Sequence, residues 1–247
     1  MICPKCRFEQ NDGLPECLKC GVVFAKLEGR TPAPGESSHR SQTPADPIAR
    51  EFTWRALLLP TPVHSNPILL AAKAALLVAL TIWGGKFMAA SIDSNFAGQS
   101  FMHLVNLPFH EAGHIIFSPF GSLIKALGGT LGQLLMPAVC VAVLLIRTRD
   151  AFGAAVAQWW LAESFMDIAP YINDARALNL TLLGGVTGKD VADYHDWEYI
   201  LGKLHLLAMD HNLARMAQIT GIVLMVGALG WAAANVWLQF RFWRQPP

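Results

Sequence analysis

A mainly α-helical, polytopic membrane fold behind a small cysteine-paired N-terminal unit is what the sequence predicts, and three observations predict it. Hydrophobic residues make up 53% of the 247 positions and charged residues only 15%, where a soluble domain carries about 25%. The charge deficit falls in long apolar runs after residue 67, as in chains that cross a bilayer. Four of the five cysteines stand in two pairs within the first twenty residues. The net charge of +1 gives no electrostatic footprint for nucleic acid.

The chain divides by composition into three parts. Residues 1–27 hold Cys3-x-x-Cys6 and Cys17-x-x-Cys20-Gly21. Each knuckle brings two thiolates to one face of a tight turn, and two knuckles close a tetrahedral four-cysteine zinc shell at about 2.3 Å per sulfur. The N-terminus has no basic stub followed by an apolar core, so no secretory signal is read there. A cytoplasmic, reducing setting then argues against two disulfides. All four ligand positions are filled by protein, which makes this zinc ribbon structural and a possible docking point for a cytoplasmic protein partner. Residues 28–66 form a linker and membrane approach, rich in Pro, Ser and Thr and short of apolar surface. Trp54 and Arg55 near its end suit the headgroup level. Residues 67–247 form a multi-helix membrane domain.

Within that domain, about four to six membrane-inserted helices are expected. Residues 68–90 form the first span, with Lys73 and Lys86 near its ends, where an ammonium group can snorkel to water. Residues 101–118 form a re-entrant or partly inserted helix, unless they span and the Arg147 turn lies outside. Residues 131–146 and 151–169 form two more, and residues 216–238 form the clearest span. Lys and Arg gather in the N-terminal segment, at Arg147 and Arg149, and at Arg241 and Arg244. The positive-inside rule puts all three groups, and the N-terminus, on the cytoplasmic side, as in a bacterial inner membrane. Residues 171–210 are polar and glycine-punctuated. His195, Asp196, Asp210 and His211 there could bind a second metal but read better as solvated loop residues, and Cys140 as a small apolar filler.

The chemistry concentrates in Phe109-His110-Glu111-Ala112-Gly113-His114. Histidines at i and i+4 share a helix face and can grip one metal ion at about 2.0–2.1 Å. Glu111 can then serve as general base toward water activated by the ion. Three ionisable groups in an apolar segment are costly, so they point to function. Pro108 suits a first helical turn or a kink. His103, seven residues before His110, shares its face if the helix reaches that far. A catalytic zinc has three protein ligands and an open position. The third ligand must come from another segment, and Glu163, Asp167 and Asp174 are candidates. Pro170 should end the helix between them. Asn173, Asn179 and Glu163 could line a polar path for water.

The His110–His114 motif, followed by a later apolar segment with Pro170 and Asp174, resembles the site-2 protease family of intramembrane zinc metalloproteases. That family takes its third ligand from Asn-x-x-Pro-x-Pro-x-x-Asp-Gly. Here Asp174 stands four residues after Pro170, and Asp167 takes the place of the leading Asn. The second Pro is absent, and Ala175 replaces the Gly. The resemblance implies a catalytic zinc on His110, His114 and Asp174, with Glu111 as base and Asp167, Asn173 and His103 around them. Residues 128–133 resemble the glycine-containing segment that the family places beside its site. The function implied is hydrolysis of peptide bonds in a membrane-protein or peptide substrate, in or near the lipid. The rival reading is a non-proteolytic zinc-binding membrane protein, whether adaptor, sensor or transporter, whose ribbon binds a partner.

Overall fold

The computed structural model describes residues 3, 16, 22–24, 57–59, 66–192 and 194–244. The chain forms two compact units, Met1–Glu51 and Phe52–Pro247. In the first, Cys3 is buried and Glu16 makes an antiparallel bridge to Val23. The other three paired cysteines, Cys6, Cys17 and Cys20, on which the expected zinc ribbon rests, lie outside the described residues, as does most of the 28–66 segment.

The second unit is helical: α1 Pro67–Ala89, α2 Phe101–Phe117, α3 Ser122–Ile146, α4 Ala151–Asn173, α5 Asp196–Lys203 and α6 Asp210–Trp243. Local sequence sets several of the starts. Asn66 caps α1 by accepting the Ile68 N–H, and Pro67 follows in the first turn. Asp150 caps α4 by accepting the Gly153 N–H at 3.0 Å. Gly121, at φ +96°, turns the chain from α2 into α3, in a backbone region that L side chains rarely adopt.

Among the described residues, three helices are long and apolar enough to cross a membrane: Pro67–Ala89, Ser122–Ile146 and Leu207–Trp243. Their outer faces carry exposed stripes such as Leu135, Val139 and Val143 on α3 and Ile219, Val223 and Val226 on α6, spaced to cover one face of a helix. The 34 residues of α6 span about 51 Å at 1.5 Å each. That exceeds a hydrocarbon core of about 30 Å, so the helix outruns the 216–238 segment on both sides.

At the centre lies α4, most of whose residues are buried. Enclosure by its neighbours explains how it can carry Glu163, Ser164 and Asp167 without an apolar outer face. Ala155 packs near Ala232, and Ala169 and Ile172 near Ala214 and Ala217, so α4 and α6 run antiparallel with small residues at their contact. Against α1, Trp159 donates to the Leu80 carbonyl at 3.1 Å. It lies over Gly84, where a Cβ would come within 2.8 Å of the indole nitrogen. Lys73 bonds to Gln239, which sets α1 antiparallel to α6. The start of α1, the Arg147–Arg149 turn and the C-terminal end of α6 therefore share one end of the bundle. The loops around α5 lie at the other.

The structure decides two expectations about prolines. Pro108 sits mid-helix rather than in the first turn of α2, so His103 and His110 do share one helix. Pro170 does not end α4, which runs on to Asn173 and leaves Asp174 as its C-cap. Packing of Ile168, Ala169 and Ile172 against Ala214 and Ala217 of α6 carries the helix past the proline.

Candidate metal centre

The centre is assembled where α2 crosses the glycine-rich start of α3. Gly113 on α2 faces Gly128 and Gly132 on α3 so closely that a Cβ on any of the three would strike the other helix's backbone. Such close approach is what small residues at i and i+4 permit between membrane helices. Gly129, in the same stretch, lies under the histidine pair. A Cβ there would collide with the His110 ring and come within 2.6 Å of His114 Nε2. The glycine keeps open the space between the two ring nitrogens.

The His110 and His114 rings stand 4.8 Å apart, edge to face. His114 Nδ1 donates to the Lys125 carbonyl at 2.8 Å. That orients the ring and turns Nε2 toward the centre, the arrangement typical of ligating histidines. The third group comes from the start of α5: Asp196 Oδ2 lies 3.2 Å from His110 Nε2 and 3.3 Å from His114 Nε2. One ligand atom from each of His110, His114 and Asp196 falls within 4.8 Å of the others. Burial opposes the charge on Asp196, but hydrogen bonds to the two histidines outweigh it and hold its carboxyl at a pKa of about 2. Tyr171 steadies this carboxylate from α4: its hydroxyl accepts the Asp196 N–H at 2.9 Å and donates to Oδ2 at 3.3 Å. Glu111 lines the same cavity of about 1030 Å³, together with Tyr171, His103, Asp167 and the loop residues Leu180–Leu183.

Asp174, expected as the third ligand, is engaged elsewhere. One of its oxygens accepts the Asn179 N–H and the other the Leu180 N–H, both at 2.9 Å. Continuation of α4 past Pro170 puts Asp174 in this turn instead of beside the histidines. Asp167 is taken up by donors from three residues: His103 Nδ1 at 3.0 Å, Asn106 Nδ2 at 3.0 Å and Gln133 Nε2 at 2.8 Å. Glu163 accepts the same Asn106 amide at 3.0 Å and is fully buried. Asn173 bonds to Asp93 and His211, and Asn179 accepts from Lys189.

No family model, curated protein or solved structure matches the chain. The site therefore has to be judged on its own residues.

Sequence reasoning passed over Tyr171 and read Asp196 as a solvated loop residue instead of a partner of His110 and His114. It also read His195 and Asp210 as solvated, whereas both are buried: His195 caps α5, and Asp210 pairs with Arg176 at 2.7 Å. A usable signal was present. His195-Asp196-Trp197-Glu198 has the polar cap and acidic first turn of a helix start, and a helix start can hold a carboxylate at a fixed place.

Proposed function

We propose that this chain is a membrane-embedded zinc metallopeptidase whose ion is held by His110, His114 and Asp196, with Glu111 as general base. One observation carries this reading. Three groups with the right donor atoms, from helices far apart in sequence, meet over a glycine that leaves room between them. The set of two histidines and one carboxylate suits catalytic zinc, which keeps a fourth position open. Zinc bound there would lower the pKa of its water to about 7 and polarise a substrate carbonyl.

The chain's own residues supply the rest. Lys125 and Tyr171 orient the ligands. Glu111, beside them in the cavity, takes a proton from water and returns it to the departing amine. The apolar walls, among them Leu104, Leu107 and Leu183, suit an apolar peptide segment drawn from a membrane protein. The paired cysteines at the N-terminus are proposed to hold a second, structural zinc. With the basic end of the bundle cytoplasmic, as in a bacterial inner membrane, the centre lies toward the opposite side.

The test is metal content and peptidase activity of the purified full chain in detergent, against a set of apolar peptides. Wild type should carry two zinc ions, and the His110→Ala/His114→Ala variant one. Glu111→Gln should keep both ions yet lose activity by about 10²–10⁴-fold, the usual contribution of a general base. Equal zinc in wild type and the double histidine variant would end the reading.

A further inference from the structure

The metal reading leaves a buried group unexplained. His195 is 1% exposed, and its Nδ1 accepts the Glu198 N–H at 3.1 Å, capping α5. The ring proton must then sit on Nε2. That nitrogen is buried and has no hydrogen-bond partner among the described residues. Such groups are uncommon and call for a reason. The nearest acid group is Asp174, whose Oδ2 lies 3.6 Å away. Asp174 itself is held by the two backbone N–H groups of the turn that follows α4. The other side of the His195 ring lies against Tyr171, centroid to centroid 4.2 Å, and Tyr171 holds Asp196 by both its N–H and its carboxylate.

Resting on the metal reading above, we propose that Asp174 and His195 are positioning residues for the centre: Asp174 holds His195, and His195 holds the start of α5 so that Asp196 meets His110 and His114. The loop between α4 and α5 runs from residue 174 to residue 195. Tyr199 ties the body of α5 to Ser122 at the start of α3 at 2.8 Å, which leaves the placement of its first residue, Asp196, to the end of this loop. Two links tie its far end back to α4, one through Tyr171 and one through Asp174 and His195. Residues around a metal centre that orient its ligands typically matter about 10–100-fold in metal affinity. Gly188 adds to the enclosure, since a Cβ there would come within 3.2 Å of His195 Cβ.

The experiment is a zinc titration of the full chain in detergent against a chromophoric chelator, with the His110→Ala/His114→Ala variant giving the background from the cysteines. His195→Asn retains a good N-cap but cannot reach Asp174. Asp174→Asn keeps the shape and removes the charge. Each should weaken zinc at the histidine site by about 10–100-fold. The metal-free proteins should melt at the wild-type temperature, a result that a purely structural role would not give. Joined in one chain, the two changes should weaken zinc no more than the stronger alone, because they cut one link. Cobalt in place of zinc should show altered visible bands in both variants.

Wild-type zinc affinity in either variant overturns the positioning role and leaves the metal reading standing. Fully additive losses overturn the link between the two residues. Indistinguishable zinc binding in wild type and in the double histidine variant overturns the metal reading, and this inference with it.

Discussion

Two encounters between histidine and aspartate line one cavity, seven residues apart on α2, and they differ in what the carboxylate has left to give. At His103, Asp167 receives N–H groups from three residues, with donor distances of 2.8–3.1 Å. The Asn106 amide among them cannot turn round. Its oxygen accepts Trp160 Nε1 at 2.7 Å, which directs its NH2 at both Asp167 and Glu163. A cation placed there would face amide hydrogens. At His110 and His114, Asp196 meets two ring nitrogens with one oxygen, over a glycine. Residue types are nearly the same in the two places. What separates them is the kind of donor: side-chain amides of Asn106 and Gln133, which cannot give up a proton, crowd Asp167, whereas the imidazole nitrogens beside Asp196 can exchange a proton for a metal ion.

The sharpest way to break this comparison is to alter the two aspartates in the same manner. On the proposed assignment, Asp196→Asn removes a ligand and should strip zinc from the histidine site and reduce peptidase activity by at least about 10²-fold. Asp167→Asn should leave the zinc content at the wild-type level, because three donors, not a metal, surround that group. Metal analysis of the two proteins side by side decides it. Zinc lost on Asp167→Asn and kept on Asp196→Asn would reverse the assignment.

A second change tests the space instead of the ligands. Gly129→Ala puts a methyl group against both ring nitrogens. It should push the histidines apart and weaken zinc by about 10-fold or more, with overpacking adding about 1–3 kcal/mol of destabilisation. Gly85→Ala is the control, because a Cβ there meets no atom of the described residues within 4 Å and alanine is the better helix former. Unchanged zinc affinity in Gly129→Ala would show that the gap over the glycine is not where the ion sits.

Much of this fold is legible in the sequence, and the illegible part has physical causes. Apolar runs place α1, α3 and α6, because a span must satisfy its own backbone and face lipid. The i, i+4 spacing of His110 and His114 likewise forces them together once α2 forms. The third group is different. Asp174 and Asp196 are both carboxylates in a polar stretch, and which one reaches the histidines depends on whether Pro170 stops α4. Local propensity says that it stops. The bundle says otherwise, since packing of Ile168, Ala169 and Ile172 against α6 carries the helix one turn further. The roles of Tyr171 and His195 beside Asp196 were illegible for a related reason, although the helix start at His195 was not. Their roles arise from contacts between the end of α4 and the start of α5, and no sequence period records such contacts.

The smallest expected effect sharpens the comparison from its saturated side. Asn106 holds Glu163 and Asp167 at once and is 1% exposed. Asn106→Ala removes a donor from each carboxylate and leaves the Trp160 N–H without its acceptor. Buried groups that lose a partner cost about 1–3 kcal/mol each, so the variant should melt well below wild type in detergent. The lost donors sit beside Asp167, while Asp196 keeps His110, His114 and Tyr171. Zinc affinity at the histidine site should therefore stay within about 3-fold of wild type, in line with the near-additivity of sites that share no partner. A lower melting temperature with unchanged zinc binding would separate the two aspartates by role, one holding the helices together and the other holding the ion. Zinc affinity that falls in step with stability would mean that the polar layer and the centre form one network, and that the donors around Asp167 also set the geometry of the histidine pair.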